Sequence, residues 1–280
     1  MSLMPSFPRR WNVSGAELIA ETFSSRIWKV VRDDGTTAII KDLKPFDDVE
    51  DELRGKHLLR WLDGRGAVRL LGTDGNRMLL EYAGERHLTE VLDKAGDTAA
   101  TEIAADVMAR LHAPSDRPAP TGLQQLRQRF VALFRVAEAE RKAGSSGLYA
   151  QAAAVAQELL DDARDIRPLH GDLHHENIIE SRRGWLAIDP KGVLGDPCFD
   201  AANMFFNPLD RDALCKDLER IAGMAAIFHN VLMLDPRRVL DHAFAYGCLS
   251  AAWHAEDGND ADEERELSVT AAVRAVRLSF

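Results

Sequence analysis

Residues 170 to 180 read HGDLHHENIIE, histidines, acids and an asparagine crowded around an apolar pair. Asp172 and Asn177 are five positions apart. A second aspartate, Asp189, follows in LAIDP, at the far end of a hairpin expected over NIIESRRGWLAID with its turn at Ser181 to Gly184. An aspartate and an asparagine leaving one loop, with another aspartate across the hairpin, would aim oxygen ligands at one point. Hard oxygen donors suit Mg2+, which keeps waters and accepts phosphate ligands, better than zinc. His174 and His175 invite zinc instead, but adjacent histidines point apart in extended chain and no matching second pair at helical spacing accompanies them. Taken singly, each of these residues has a plainer reading, because a lone Asp or Asn in a loop is usually a turn former.

The remaining chemistry lies upstream. Lys41 ends the apolar strand TAIIK, and Glu50 and Glu52 follow on the next helical stretch. Glu52, three residues after Val49 and beside Leu53, is nearer the inward face than its rival Glu50. Phosphoryl transfer needs a lysine for nucleotide phosphates, an acid to hold it, metal ligands, and an aspartate facing the acceptor hydroxyl. The order here is Lys, Glu, Asp, Asn, Asp. It resembles the protein-kinase-like superfamily, whose catalytic loop also places an asparagine five residues after an aspartate.

More closely, LHGDLHHENII, WLAIDPKGVLGDPCFDAANMFFNP and AVRLLGTDGNRMLLEYAG resemble the aminoglycoside phosphotransferases, in particular their streptomycin 6-kinase and hydroxyurea-resistance kinase branch. The resemblance covers nearly the whole chain. It implies an α+β, bilobal, protein-kinase-like fold with a small antiparallel-sheet lobe carrying one helix and a larger, mainly helical lobe. It also implies ATP and Mg2+ as cofactors, Asp172 as the catalytic aspartate, Asn177 and Asp189 as metal ligands, and Lys41 on the ATP phosphates with Glu52 as its partner. The first turn, ETFSSRIW, lacks the GxGxxG of protein kinases, so Ser24 and Ser25 would supply amides and hydroxyls to the phosphates. LLEYAG matches the lobe connector, whose backbone near Glu81 and Ala83 would meet adenine. His170 would brace the catalytic loop by hydrogen bonding, Asp200 would bond its backbone, and Asp196 would be structural.

The elements that must position these residues are legible as patterns. Strands are expected at Ala16 to Thr22, Ile27 to Arg32 and Thr37 to Leu43, the last two joined by the turn DDG. A helix is expected over DDVEDELRGKHLLRWL, and AVRLLGTDGNRMLLEYAG reads as two strands about TDGN. Beyond Gly84 helical spacing takes over: in TEIAADVMARLHA, at Leu123 to Lys142, Gly147 to Ala163, Arg211 to Val231, Pro236 to Glu256 and Ala261 to Leu278. Residues 1–83 are therefore expected to form a nucleotide-binding lobe and 84–280 a catalytic and acceptor-binding lobe, with a cleft between them.

Composition bounds the partners. A chain of 280 residues, 46% hydrophobic, can bury a sizeable core. Cys198, Cys215 and Cys248 are far apart with no CxxC pair, which fits a reducing cytoplasm. No apolar run approaches the roughly 18 to 20 residues that span a bilayer, and a net charge of −10 argues against general nucleic-acid affinity. Cationic small molecules remain. The acidic stretch HAEDGNDADEERE either favours a helix N-terminus through the macrodipole or lines a pocket for a guanidinium or ammonium group, with Asp257 and Asp260 as candidate contacts. The expected activity is ATP-dependent phosphorylation of a hydroxyl on a cationic, aminoglycoside-like amine. A metabolic kinase for choline, an amino alcohol or a sugar amine is the rival among enzymes. A pseudokinase that only binds nucleotide is the rival outside them, though Lys41, Asp172, Asn177 and Asp189 are all present.

Overall fold

The computed structural model describes residues 6–45 and 49–280. Its N-terminal part is an antiparallel sheet of β1 (Val13–Glu21), β2 (Ser25–Arg32), β3 (Thr37–Leu43), β4 (Leu70–Asp74) and β5 (Arg77–Glu81), in the spatial order β1-β2-β3-β5-β4. Strand alternation places Ala38 and Ile40 on one face, in a small core with Trp11, Val30 and Leu79. Ile39 and Lys41 take the opposite face and line a cleft. Helix α1 (Val49–Leu62) is inserted between β3 and β4 and buries Leu58, Leu59 and Leu62. Asp47 and Asp48, where the expected helix opens, lie outside the described residues, and so does the side chain of Glu50.

The larger part begins with α2 (Leu88–Ala95) and α3 (Asp97–Leu111), then β6 (Gln124–Gln125), α4 (Leu126–Arg129), α5 (Val131–Lys142) and α6 (Leu148–Asp161). Strands β7 (Arg167–Leu169), β8 (Ile178–Ser181), β9 (Gly184–Ala187) and β10 (Val193–Gly195) frame the 170–180 loop. Helices α7 (Cys198–Ala202), α8 (Asp212–Cys215), α9 (Leu218–Leu232), α10 (Pro236–Glu256) and α11 (Asp260–Arg277) complete it. One continuous core joins the α1 leucines, Met78 and Leu80 of β5, and Val107, Leu133, Phe199 and Phe244 of the helices. Among the described residues no helix is long and apolar enough to cross a membrane.

Two long helices expected from the sequence are each broken. Leu123 to Lys142 is not one helix: Gln124 and Gln125 pair with Val193 and Leu194 of β10, and the buried Phe130 turns the chain before α5. Arg211 to Val231 is interrupted because Asp217 caps α9, its carboxylate accepting from the amides of Glu219 (2.8 Å) and Arg220 (3.0 Å). The three-residue strands β7 and β10 and the helix α7 were not indicated by any pattern, being too short to show a period.

The β8-β9 hairpin is sewn to the sheet side. Val68 N donates to Ala187 O (3.0 Å) and Ala187 N to Gly66 O (2.8 Å). From the hairpin turn, Arg183 donates to the Glu81 carboxylate (2.9 and 2.7 Å) and to the carbonyls of Gly64 (2.8 Å) and Ala67 (3.2 Å). A single guanidinium thus ties the connector to the end of α1.

Candidate active site

Lys41 is almost wholly buried, and its Nζ donates to Glu52 Oε2 at 2.5 Å and to the Asp189 carboxylate. The other oxygen of Glu52 receives Lys191. Glycine at position 55 permits this. A Cβ there would lie 2.0 Å from the Pro190 carbonyl oxygen, so α1 packs backbone to backbone against the segment after Asp189, with Glu52 one turn earlier and near the same face. Asp189 itself adopts a left-handed φ of 57°, a conformation that costs about 1 kcal/mol or more outside glycine and that concentrates at functional positions. Burial pushes its carboxyl up, but the charges of Lys41 and Lys191 outweigh that and hold it below the ordinary carboxylate range.

The catalytic-loop candidate is organised from beneath by a buried carboxylate. Asp200, on α7, accepts from the amides of His170 (2.9 Å) and Gly171 (2.7 Å) and from His112 Nε2 (2.8 Å). Burial alone would raise this carboxyl; the His112 hydrogen bond and charge, with His170 and the Gly171 amide, keep it low. His170 Nε2 donates to Ile188 O (2.8 Å), while its Nδ1 accepts from the Asp172 amide (3.2 Å). That pattern requires a neutral ring, and burial does hold this imidazole below its usual range despite the charges of Asp200 and Asp172. Asp196 is occupied structurally, by the Cys198 amide (3.0 Å) and Arg238 Nε (2.7 Å).

Asn177 donates from Nδ2 to the Asp172 carbonyl (2.9 Å), which leaves its Oδ1 as an acceptor at the cleft. Asn177 and Asp189 are thus two hard oxygen donors on one wall, a set that fits a divalent cation completed by water and phosphate. Lys41 currently satisfies Asp189. Among the described residues no three His, Cys, Asp or Glu side chains are grouped as a metal centre. His175 is fully buried with both ring nitrogens unpartnered, and burial, then the charges of Arg220 and His174, bring its pKa down to about 3.

The cleft has a volume of about 810 Å³. Ser24, Ser25, Lys41, Glu52, Asn177 and Asp189 all line it, as do Glu81 and Ala83 of the connector. The Glu81 side chain is committed to Arg183 and to the Arg69 amide (2.9 Å), and its own amide donates to Arg69 O (2.9 Å), so neither is available to a ligand. In the first turn, the Ser25 amide donates to Thr22 Oγ1 (3.0 Å), which sequence reading had left for a phosphate. Thr22, also in the cleft wall, was not singled out.

A profile of the aminoglycoside/hydroxyurea antibiotic resistance kinases matches residues 10–258. The chain belongs to that family. It is 37% identical over 275 residues to a streptomycin 3''-kinase of Klebsiella pneumoniae, covering 96% of this chain and 98% of the relative. It is 34% identical over 273 residues to a hydroxyurea phosphotransferase of Kitasatospora aureofaciens, covering 94% and 75%. A choline/ethanolamine kinase family protein from Mesorhizobium loti shares the fold, with a TM-score of 0.66 at 13% identity over 97% of this chain and 91% of that one.

Beyond Thr22, two further polar groups of this kinase carry no signal in the sequence, an Asn203–Asn207 pair and Lys191. Asn203 Nδ2 donates to Asp172 Oδ1 (3.0 Å), and Asn207 Nδ2 in turn holds Asn203 Oδ1 (2.9 Å), so one oxygen of Asp172 is fixed in direction. The spacing of Asn203 three residues after Asp200 would have pointed to it once α7 was known. Lys191 is the other. On the acceptor side the kinase separates the two candidate acids. Asp257, at the end of α10, lines a hollow of about 400 Å³ with Gln124, Gln128, Arg129, Trp253 and Glu256. Arg129 lies 4.9 Å above the Trp253 ring and donates to Gly171 O (3.3 Å), so this hollow adjoins the 170–180 loop. Asp260 is exposed in the first turn of α11 and does not line the hollow.

Proposed function

We propose that this kinase moves the γ-phosphoryl group of ATP, bound with Mg2+, to a hydroxyl of a cationic aminoglycoside-like acceptor, the chemistry named for its streptomycin-kinase relatives. One observation carries the reading: Lys41, Asn177 and Asp189 line one cleft, and Asn177 is bonded to the carbonyl of Asp172, on a loop pinned from below by Asp200. Residues 1–83 form the nucleotide lobe, with connector backbone near Ala83 on the adenine. Asp172, one oxygen held by Asn203, directs the acceptor hydroxyl at phosphorus and takes its proton as the new P–O bond forms and ADP leaves. Mg2+, when bound, neutralises charge on the phosphates. Asp257 attracts the acceptor's cationic groups in the hollow beside Gly171.

The test is ATP turnover across a panel of hydroxylated amines and neutral sugars. A guanidinium or ammonium aminocyclitol should stimulate it most, and its KM should rise with added KCl because exposed charges are screened over roughly 8 to 10 Å. Asp257→Asn should raise the acceptor KM about two- to fivefold, the scale of one exposed charge pair, while sparing the KM for ATP. Asp260→Asn should change neither. A neutral sugar that outperforms every amine would sink the cationic-acceptor reading, and turnover blind to all acceptors would sink the kinase reading of the hollow.

A further inference from the structure

Four ionisable side chains meet in the cleft wall: the carboxylates Glu52 and Asp189 and the ammoniums Lys41 and Lys191. The other lysine of the cleft wall, Lys29, is at the mouth, paired with Glu85 at 2.7 Å. Lys41 arrives from the sheet and Lys191 from the opposite side, each taking one oxygen of Glu52. A single lysine would suffice to satisfy one carboxylate. The second has a fixed mount: the amides of Lys191 and Gly192 both donate to His170 O, at 2.8 and 3.1 Å. Gly171, with φ 83°, lies alongside it: a Cβ there would sit 3.5 Å from the Lys191 Cβ, an ordinary contact, and would clash with Val193 Cγ2 at 2.6 Å. The stem of Lys191 therefore lies against the catalytic loop one residue from Asp172, and its own position is two residues beyond Asp189.

We propose that Lys191 is a second phosphate-binding lysine, contacting the γ-phosphoryl group as it passes between Asp189 and Asp172. The proposal rests on the reading of this cleft as the nucleotide site. A strand lysine placed like Lys41 serves the α- and β-phosphates. The transferred group spreads its charge over three equatorial oxygens and needs a donor of its own. Lys191 is ion-paired with Glu52 in the cleft wall, so its ammonium already faces the space where phosphates would lie.

The experiment compares two nucleotides that differ by the γ-phosphate. Affinities for ADP and for a non-hydrolysable ATP analogue are measured calorimetrically with Mg2+ in the wild type, Lys191→Met and Lys191→Arg. Lys191→Met should weaken the analogue roughly tenfold or more, as expected for one lost charged hydrogen bond, and change ADP affinity less than about twofold. Lys191→Arg should recover part of the loss. Should the Met variant fail to fold, Lys191→Gln, which keeps a donor for Glu52, gives the same ratio. An equal fall for both nucleotides would reduce Lys191 to a support for Glu52, and no change for either would remove it from the site; both results overturn the proposal. A wild type that binds neither nucleotide would instead overturn the reading of the cleft.

Discussion

Asp172→Asn lowers phosphoryl transfer by on the order of a hundredfold or more, the scale of a positioned general base, while the protein keeps its fold and its nucleotide affinity. The expectation follows from how the carboxylate is held. The replacement amide has the same shape, and its oxygen can still accept from Asn203 Nδ2, the 3.0 Å contact that fixes the side chain. The loop beneath depends on backbone groups of His170 and Gly171 gripped by Asp200, none of which the substitution touches. What is lost is the ability to take the acceptor's proton. Single-turnover phosphorylation of the best acceptor, beside a melting curve and an ADP titration, separates these effects. Undiminished transfer in the variant would remove Asp172 from the chemistry.

Gly55→Ala is expected to be damaging despite being a substitution that helix propensity favours. In an open helix it would stabilise by about 1 kcal/mol. Here the new methyl would lie 2.0 Å from the Pro190 carbonyl oxygen, more than an ångström inside contact distance, and the obstacle is backbone that cannot rotate away. Overpacking of this sort costs about 1–3 kcal/mol and occasionally more, so the clash outweighs the propensity. A net loss near 2 kcal/mol would lower the melting temperature by roughly 5 °C. The larger effect falls on function. Displacing α1 by an ångström moves Glu52 off both lysines, and misplacement of that size can reduce a site's output about a hundredfold. Calorimetric titration of Mg-nucleotide and a thermal melt check this; an unchanged or higher melting temperature would show that α1 does not rest on Pro190 as described.

Local spacing carried the sequence reading a long way. Asp172 and Asn177 share one loop, Lys41 follows from strand alternation in TAIIK, and Glu52 from helical phase relative to Val49, so each could be placed without knowing the rest of the fold. The structure gathers Asn177, Lys41 and Glu52 with Asp189 in the lining of one cleft, and leaves Asp172 off that lining, with its carbonyl bonded to Asn177. What the sequence could not show depends on distant partners. The grip of Lys191 on Glu52 joins positions 139 apart, and that of Asn203 on Asp172 joins positions 31 apart. Gly55 reads as an ordinary weak point in a helix until the Pro190 carbonyl is seen beneath it. The late start of the helix expected from Leu123 comes from pairing of Gln124 and Gln125 with β10, a strand of three residues whose own signal is nil. Asp257 and Asp260 are equivalent in an acidic run; only the turn between α10 and α11 sends one to the hollow and the other to solvent.

The continuous core has a mechanical meaning. Leu58, Leu59 and Leu62 of α1 and Met78 and Leu80 of β5 are packed into the helical part, and Arg183 clasps the connector beside them. Swinging the whole sheet away would strip these five side chains from their core at roughly 8–15 kcal/mol, taking about 1.5–3 for each, which rivals the entire stability of a typical domain. The β1-β2 ribbon contributes a single fully buried side chain, Val30, to a separate small core, and β1 is largely exposed. By side-chain burial this ribbon is therefore more weakly anchored than the rest of the cleft wall, held chiefly by the β2-β3 pairing from Ser25 to Val31. Amide hydrogen exchange should find its strands opening far more often than α1, and quieted by bound nucleotide; equal protection of the two would put the opening motion elsewhere. A wall built this way is expected to loosen before the cluster of Lys41, Glu52 and Lys191 comes apart.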